Sequence, residues 1–279
     1  MKKYFKLFML MLLVFSYSYS GVMPETDWKI KNLKGKVKSM VKTEYEYDSS
    51  GKLEKTWVTE TYFNEQGYIT DEVQYVDNRL NQSIIYKNNS DGLPIKKDEV
   101  SRVYSYKYEE TKDGNLLVTI KEEYVDKKNF PSLEKITYNK NGKKVHHLVY
   151  SGEELITNDT YIYNKKGNLI EIKDNTFPEN SIKITYNYKA NGDYEKTTDV
   201  ATAKWTYLYD KNGNEKEYIS MIKQGSQGKP KISIYLKFKD ITRDEYGNLT
   251  RNTSVRYDYS KKKESSIYKK LENKYEYYK

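Results

Sequence analysis

The stretch YIYNKKGNLIEI, residues 161–172, carries the pattern on which the fold turns. Tyr161 and Tyr163 alternate with Ile162, Asn164 and Gly167 bracket two lysines, and apolar alternation resumes at Ile170 and Ile172. A type I turn favours Asp, Asn or Ser at its first position and Gly at its fourth. The Asx side chain can bond the backbone two residues on, and the Gly accepts positive φ. The stretch therefore reads as two antiparallel strands joined by a tight turn.

The same phrase recurs along the chain. Its turn residues are Asp48 and Gly51, Asn64 and Gly67, Asn139 and Gly142, Asn164 and Gly167, Asp210 and Gly213, and Asp244 and Gly247. Gly192 closes a copy that opens on Lys189, and looser copies place Asn89 before Gly92 and Thr111 before Gly114. From Gly51 to Gly247 the glycines advance in eight steps with a mean of 24.5 residues. A fixed period of that order marks a repeat protein.

The flanks keep a period of two, as in Tyr104/Tyr106/Tyr108, Ile182/Ile184/Tyr186/Tyr188 and Trp205/Tyr207/Tyr209. One face of each strand then carries rings and branched aliphatics, and the other carries Thr, Glu, Lys or Asn. Nine hairpins supply about eighteen strands of ordinary length. The expected fold is all-β: antiparallel hairpin repeats in an extended, twisted or curled, solenoid-like sheet. Rings are its core, because 31 Tyr, 7 Phe and 3 Trp make up for few aliphatics.

Composition excludes several chemistries. With no Cys among 279 residues there are no disulfides, thiol nucleophiles, Cys-bound zinc or iron–sulfur centres, and no lipid anchor on an N-terminal Cys. Lys2, Lys3 and Lys6 precede an apolar run from Leu7 to Phe15, with Ser18 and Ser20 after it. That order describes a cleaved secretory signal over 1–20. The chain is expected to be exported, as a secreted, periplasmic or cell-surface protein that is not a lipoprotein. No transmembrane segment remains after cleavage. The remaining divisions are a leader over 21–32, a repeat domain over 33–260, and a lysine- and tyrosine-rich tail or capping strand over 261–279. Trp28 of the leader is placed over the first hairpin's open edge, and QGSQGKP, residues 224–230, is taken as a long loop. The net charge of +9 is interspersed with acid, so it reads as a solvated face and no nucleic-acid partner is expected.

YEYDSSGKL at Tyr45, YIYNKKGNL at Tyr161 and YLYDKNGNE at Tyr207 resemble the tyrosine–aspartate (YD, Rhs-type) repeats of large secreted bacterial shell proteins. The resemblance covers roughly residues 33–260 and implies β-hairpin strips. Those shells end in a core domain with an Asp-Pro cleavage motif before a toxin. Here none of the five prolines follows an Asp, so the implied core and cargo are lacking. A lesser resemblance is to MORN-type repeats, which also pair Tyr with Gly.

No catalytic phrase emerges. The doublets Glu109/Glu110, Glu122/Glu123 and Glu153/Glu154 point to opposite faces of their strands, so no doublet can flank one bond. His146 and His147 diverge for the same reason, which leaves zinc without a ligand set. The oxygens of Asp210, Asn212 and Asn214 are better used by the turn than by calcium. No catalytic, metal or cofactor residue is assigned. The expected function is a non-enzymatic binding role at the cell envelope toward a glycan or protein. Trp57, Trp205 and Tyr207 are the candidate ligand-binding rings. The alternatives are a self-associating envelope scaffold and a hydrolase with a site built from separate strands.

Overall fold

In the computed structural model the described residues are 21–125, 132–223, 231–258 and 261–279. The signal segment and the 224–230 loop lie outside them. Strands β1 to β9 are Val37–Tyr47, Leu53–Phe63, Ile69–Val76, Arg79–Asn88, Pro94–Asp98, Arg102–Glu110, Leu116–Tyr124, Ser132–Tyr138 and Lys144–Ser151. Strands β10 to β18 are Glu154–Tyr163, Leu169–Asp174, Ile182–Tyr188, Tyr194–Asp199, Ala203–Tyr209, Glu215–Ile222, Lys231–Arg243, Leu249–Asp258 and Lys263–Tyr277. Each pairs antiparallel with the next.

The expected open, solenoid-like strip is not what forms. β1 pairs with β2 on one side and with β18 on the other, from Val37 opposite Tyr277 to Glu46 opposite Lys269. The sheet therefore closes into an eighteen-stranded up-and-down barrel. An open strip leaves two edges of unpaired N–H and C=O groups, and closure satisfies them. The lysine-rich C-terminal segment is accordingly a full stave, hydrogen-bonded to both β17 and β1. The thinnest seam is β11 against β12, where only Glu171 with Lys183 and Ile172 with Ile182 are in register.

The turn chemistry is uniform. In seven turns the Asx side-chain oxygen accepts two backbone N–H groups, from residues two and four positions on. At Asn164 these are Lys166 and Asn168, both at 3.0 Å. Thr111 does half of this work, its hydroxyl accepting from Asn115 at 3.1 Å. At Lys189 the help comes from within the loop, where Asn191 accepts from Asp193 at 3.1 Å. The eight repeat glycines from Gly67 to Gly247 join an even strand to the next odd one, so they crowd one rim of the barrel; Gly51, between β1 and β2, and Gly152, between β9 and β10, sit on the other. The glycine period is thus one hairpin plus its return, two staves at a time.

That glycine rim is crossed by residues 21–35. Val22 packs on the cluster of Leu116, Val118 and Ile136. The Glu25 N–H donates to Gly142 O at 3.3 Å, and the Tyr68 hydroxyl donates to Pro24 O at 3.0 Å. A single helical turn, Asp27–Ile30, follows Thr26, whose hydroxyl accepts from the Lys29 N–H. Trp28 then seats its ring against Phe63 and donates to Val37 O at 2.8 Å. Trp28 therefore closes the rim instead of covering a hairpin edge, since closure leaves the first hairpin no open edge. The crossing ends on Asn248 in the turn before β17, where Lys34 N–H donates to the side-chain oxygen at 2.6 Å.

Gly67 shows how tightly the crossing fits. Its φ is +91°, and an added methyl would lie 2.6 Å from the Trp28 ring. Gly67→Ala is expected to cost about 2–4 kcal/mol, from the left-handed backbone and the displaced indole. Gly213, at φ +81° with nothing within 4 Å, pays the backbone part alone, about 1 kcal/mol. Urea midpoints of the two variants check the difference, and equal shifts would show that Trp28 does not rest there.

Candidate functional site

The inner face is fixed by one cavity. Residues of β1 and of β12 through β18 line a single space of about 720 Å³ beneath Lys31, Asn32 and Leu33. Only the concave side of a closed sheet gathers staves so far apart. On β1 Met40 and Lys42 therefore face in, with Glu44 and Glu46 in phase, while Val41, Thr43 and Tyr45 face out. Cross-strand partners carry this phase around the barrel.

The inner face is ring-rich. It holds Trp57, Tyr104, Tyr106, Tyr108, Tyr161, Tyr186, Tyr194, Tyr207, Tyr209 and Tyr275. Across β12 to β15 the rings form a continuous band. Tyr188 and Tyr194 centroids are 5.6 Å apart, Tyr194 and Tyr209 stack at 4.6 Å, and Tyr207 meets Tyr218 at 4.8 Å.

The outer face is mixed, with apolar positions such as Val58, Tyr62, Val73 and Ile85 interspersed with rows of charge. β18 presents Lys270, Glu272, Lys274 and Glu276 in four successive outward positions. Lys121 and Glu123 of β7, Lys107 and Glu109 of β6, and Lys96 and Asp98 of β5 do the same. Some form ion pairs, such as Lys38 with Glu276 at 2.8 Å. Such exposed pairs add little stability, and their importance here is that they keep the outer wall hydrated.

In the cavity the charge balance is positive. Lys31, Lys42, Lys196 and Arg243 stand against one lining carboxylate, Glu215. Lys42 is engaged by Glu44 at 2.8 Å. Arg243 donates to Asn214 Oδ1 and to Gly247 O, both at 2.7 Å. Among the described residues neither Arg243 nor Lys196 has an ion pair within 4.0 Å. Burial pushes the Glu215 carboxyl up, and the nearby Lys196 ammonium pulls it partly back.

Several tyrosine hydroxyls of the inner face are already bonded to backbone carbonyls. Tyr108 donates to Pro94 O at 2.7 Å, Tyr163 to Lys144 O at 2.8 Å and Tyr275 to Leu249 O at 2.8 Å. The hydroxyls of Tyr186, Tyr194 and Tyr209, which line the cavity, make no such bond among the described residues. A second, more open space of about 650 Å³ lies at the thin β11–β12 seam, and Tyr186 borders both spaces.

The sequence-predicted rings fall apart in space. Trp57 faces inward opposite Glu44 and donates to Glu46 at 3.2 Å, deeper than the cavity. Trp205 and Tyr207 lie on the inner face of β14, where Tyr207 packs on Tyr209 at 6.1 Å. None of the three is among the residues lining the cavity. His146 and His147 point to opposite faces: His146 reaches Asn158 outside, and His147 reaches Glu134 inside at 2.5 Å. The bond to His147 draws the Glu134 carboxyl below its usual range. Asp159 lies 4.0 Å from the other His147 ring nitrogen. Among the described residues no three His, Asp or Glu side chains converge to hold a metal ion.

Fold and lumen together define an eighteen-stranded up-and-down β-barrel whose residues 21–35 form a strap across one rim. Among solved structures, the chain is similar to a porin-like protein from Bacteroides uniformis ATCC 8492, with TM-score 0.51 and 12% identity over 92% of this chain and all of that one. A Photorhabdus luminescens Tc holotoxin pore and a TcdB2–TccC3 structure match with TM-scores of 0.28 and 0.27, each 12% identical, covering 80% of this chain and 16% of theirs. At those scores they carry no argument, so the likeness to YD repeats rests on the hairpin phrase and does not extend to an open wrap. No family model and no curated protein matches the sequence.

Proposed function

We propose that this protein is an exported, non-enzymatic barrel of the cell envelope that stands in water and binds a polar ligand inside its lumen. The observation that carries this is the patterning of the wall. A barrel that spans a bilayer presents an outward apolar band about 25 Å tall and a polar interior. Here a ring-rich face turns inward, although Tyr45, Tyr62 and Tyr75 turn outward, and β18 alone places four charges on its outer face, where an apolar band would be needed. Lys or Arg on a lipid-facing wall costs about 2–4 kcal/mol each near the midplane. The strap across the glycine rim and the cavity beneath it suit retention of a ligand better than conduction. No helix among the described residues is long and apolar enough to cross a membrane, which says nothing about strands; the outward charges carry the argument.

The envelope setting draws support from the porin-like neighbour and from the signal-like N-terminus. The scaffold alternative needs free sheet edges, and closure leaves only the short β11–β12 seam for it. The hydrolase alternative needs paired carboxylates, whereas Glu215 stands alone in the cavity lining.

The test is solubility. Expressed from its full sequence in a Gram-negative host, the protein is expected in the soluble envelope fraction, β-rich by circular dichroism without detergent and silent in planar bilayers. Extraction only by detergent, with stepwise conductance, would establish a membrane channel instead.

A further inference from the structure

We infer that the cavity under the strap is a site for an acidic saccharide, a short chain of hydroxyl-rich sugar rings bearing carboxylates. This rests on the lumen-binding reading above and names the ligand's chemistry.

The wall offers two kinds of group that the fold itself does not use. The first is a set of phenol hydroxyls. Tyr186, Tyr194 and Tyr209 line the cavity from three adjacent staves, and the rings of Tyr194 and Tyr209 cover each other's faces. Tyr194 and Tyr209 stack at 4.6 Å, which leaves no slot for a flat base to enter between them. Each phenol O–H can both donate and accept, the pairing that sugar hydroxyls satisfy. The second is unneutralised cation. Lys196 lies directly opposite Tyr186 across the β12–β13 pair, and Arg243 faces the same space from β16. Arg243 already holds Asn214 through Nε and Gly247 O through Nη1, which fixes its plane and leaves its second terminal nitrogen for a carboxylate. Charge-assisted bonds of that kind are the stronger ones.

Size agrees. About 720 Å³ is within the range of small-ligand sites. The open space at the β11–β12 seam shares Tyr186 with the cavity, so the two lie side by side along the same stretch of wall.

Calorimetry on the intact protein tests this with three probes: a galacturonate trisaccharide, the matching neutral galactose trisaccharide, and inorganic phosphate. The galacturonate is expected to bind, with the neutral sugar about ten- to hundredfold weaker, the worth of one or two charge-assisted bonds. Lys196→Gln and Arg243→Gln should each erase most of that preference. Tyr194→Phe and Tyr209→Phe keep the stacked rings and should weaken both sugars alike. Circular dichroism and thermal midpoints confirm that the variants fold. Equal binding of the two sugars, unaffected by Lys196→Gln, would overturn the acidic preference and leave lumen binding standing. Phosphate competing as well as galacturonate would overturn the saccharide assignment. Absence of heat with every probe would remove the acidic saccharide, and a lumen that also fails to protect Tyr186 and Tyr209 from iodination in envelope extract would remove the lumen-binding reading itself.

Discussion

Raising the pH from about 10 to 12 is expected to unfold the barrel in one steep step, with tyrosinate absorbance and loss of β-sheet signal rising together. Burial pushes Tyr68, Tyr138, Tyr161 and Tyr275 each up to about 12, and pushes Tyr86, Tyr106, Tyr108 and Tyr209 further still. Their folded pKa values exceed the unfolded value near 10, so the fold holds the neutral phenol. The stability involved is fully present below pH 10 and is lost as the pH climbs toward the folded values. Each such phenol withdraws about 1.4 kcal/mol per pH unit in that window. Because the lumen is partly wet, half that rate is a fair allowance. The four phenols at about 12 then remove about 6 kcal/mol over two pH units, comparable with the whole stability of many domains. A gradual titration near pH 10 with the sheet intact would mean that the rings face bulk water.

The hairpins were legible in the sequence because their chemistry is local. One Asx oxygen, two N–H groups and one Gly at positive φ lie within five residues, so each turn announces itself wherever the chain goes next. Alternation likewise revealed two faces per strand, and it placed His146 and His147 on opposite sides. Closure was not legible. It depends on β18 finding β1, a register linking Val37 to Tyr277 across almost the whole chain, and no local signal encodes it. An open strip and a barrel share every hairpin and differ at one seam.

The candidate site was hidden for the same reason. Ring size drew attention to Trp57 and Trp205, but the cavity is walled by Tyr186, Tyr194 and Tyr209, together with Lys196 and Arg243. Tyr188, Tyr194 and Tyr209 flank the turns at Gly192 and Gly213, and that clustering is the one trace the sequence offers. Which phenols keep their hydroxyls unspent follows from neighbours on adjacent strands, and those are set by the barrel's register.

The seam itself supplies the second large effect: Asn248→Leu should destabilise the protein by about 2–4 kcal/mol, the loss of three hydrogen bonds from a buried side chain at about 0.5–1.5 kcal/mol each. Asn248 follows the turn glycine Gly247 and is 2% exposed. Its side-chain oxygen accepts the Lys34 N–H at 2.6 Å, and its amide donates to Lys34 O at 2.8 Å and to the Tyr277 oxygen at 2.7 Å. Tyr277 in turn donates to Asp244, which opens the same turn. One amide thus ties together the end of the strap, the turn before β17 and the last residue of β18, all at the point where the barrel closes. Leucine matches the volume and offers neither group, so the Lys34 N–H and C=O lose their partners. The matching position after Gly167 gives the control. Among the described residues the Asn168 side chain holds just the exposed Tyr188 hydroxyl, at 3.0 Å, so Asn168→Leu should shift stability by less than about 1 kcal/mol. Urea denaturation of the two variants measures the difference. Hydrogen exchange should place the loss at residues 34–40 and 271–277 in Asn248→Leu. Equal midpoints would show that the strap and the seam are held by the β1–β18 ladder alone, with Asn248 contributing no more than any turn residue.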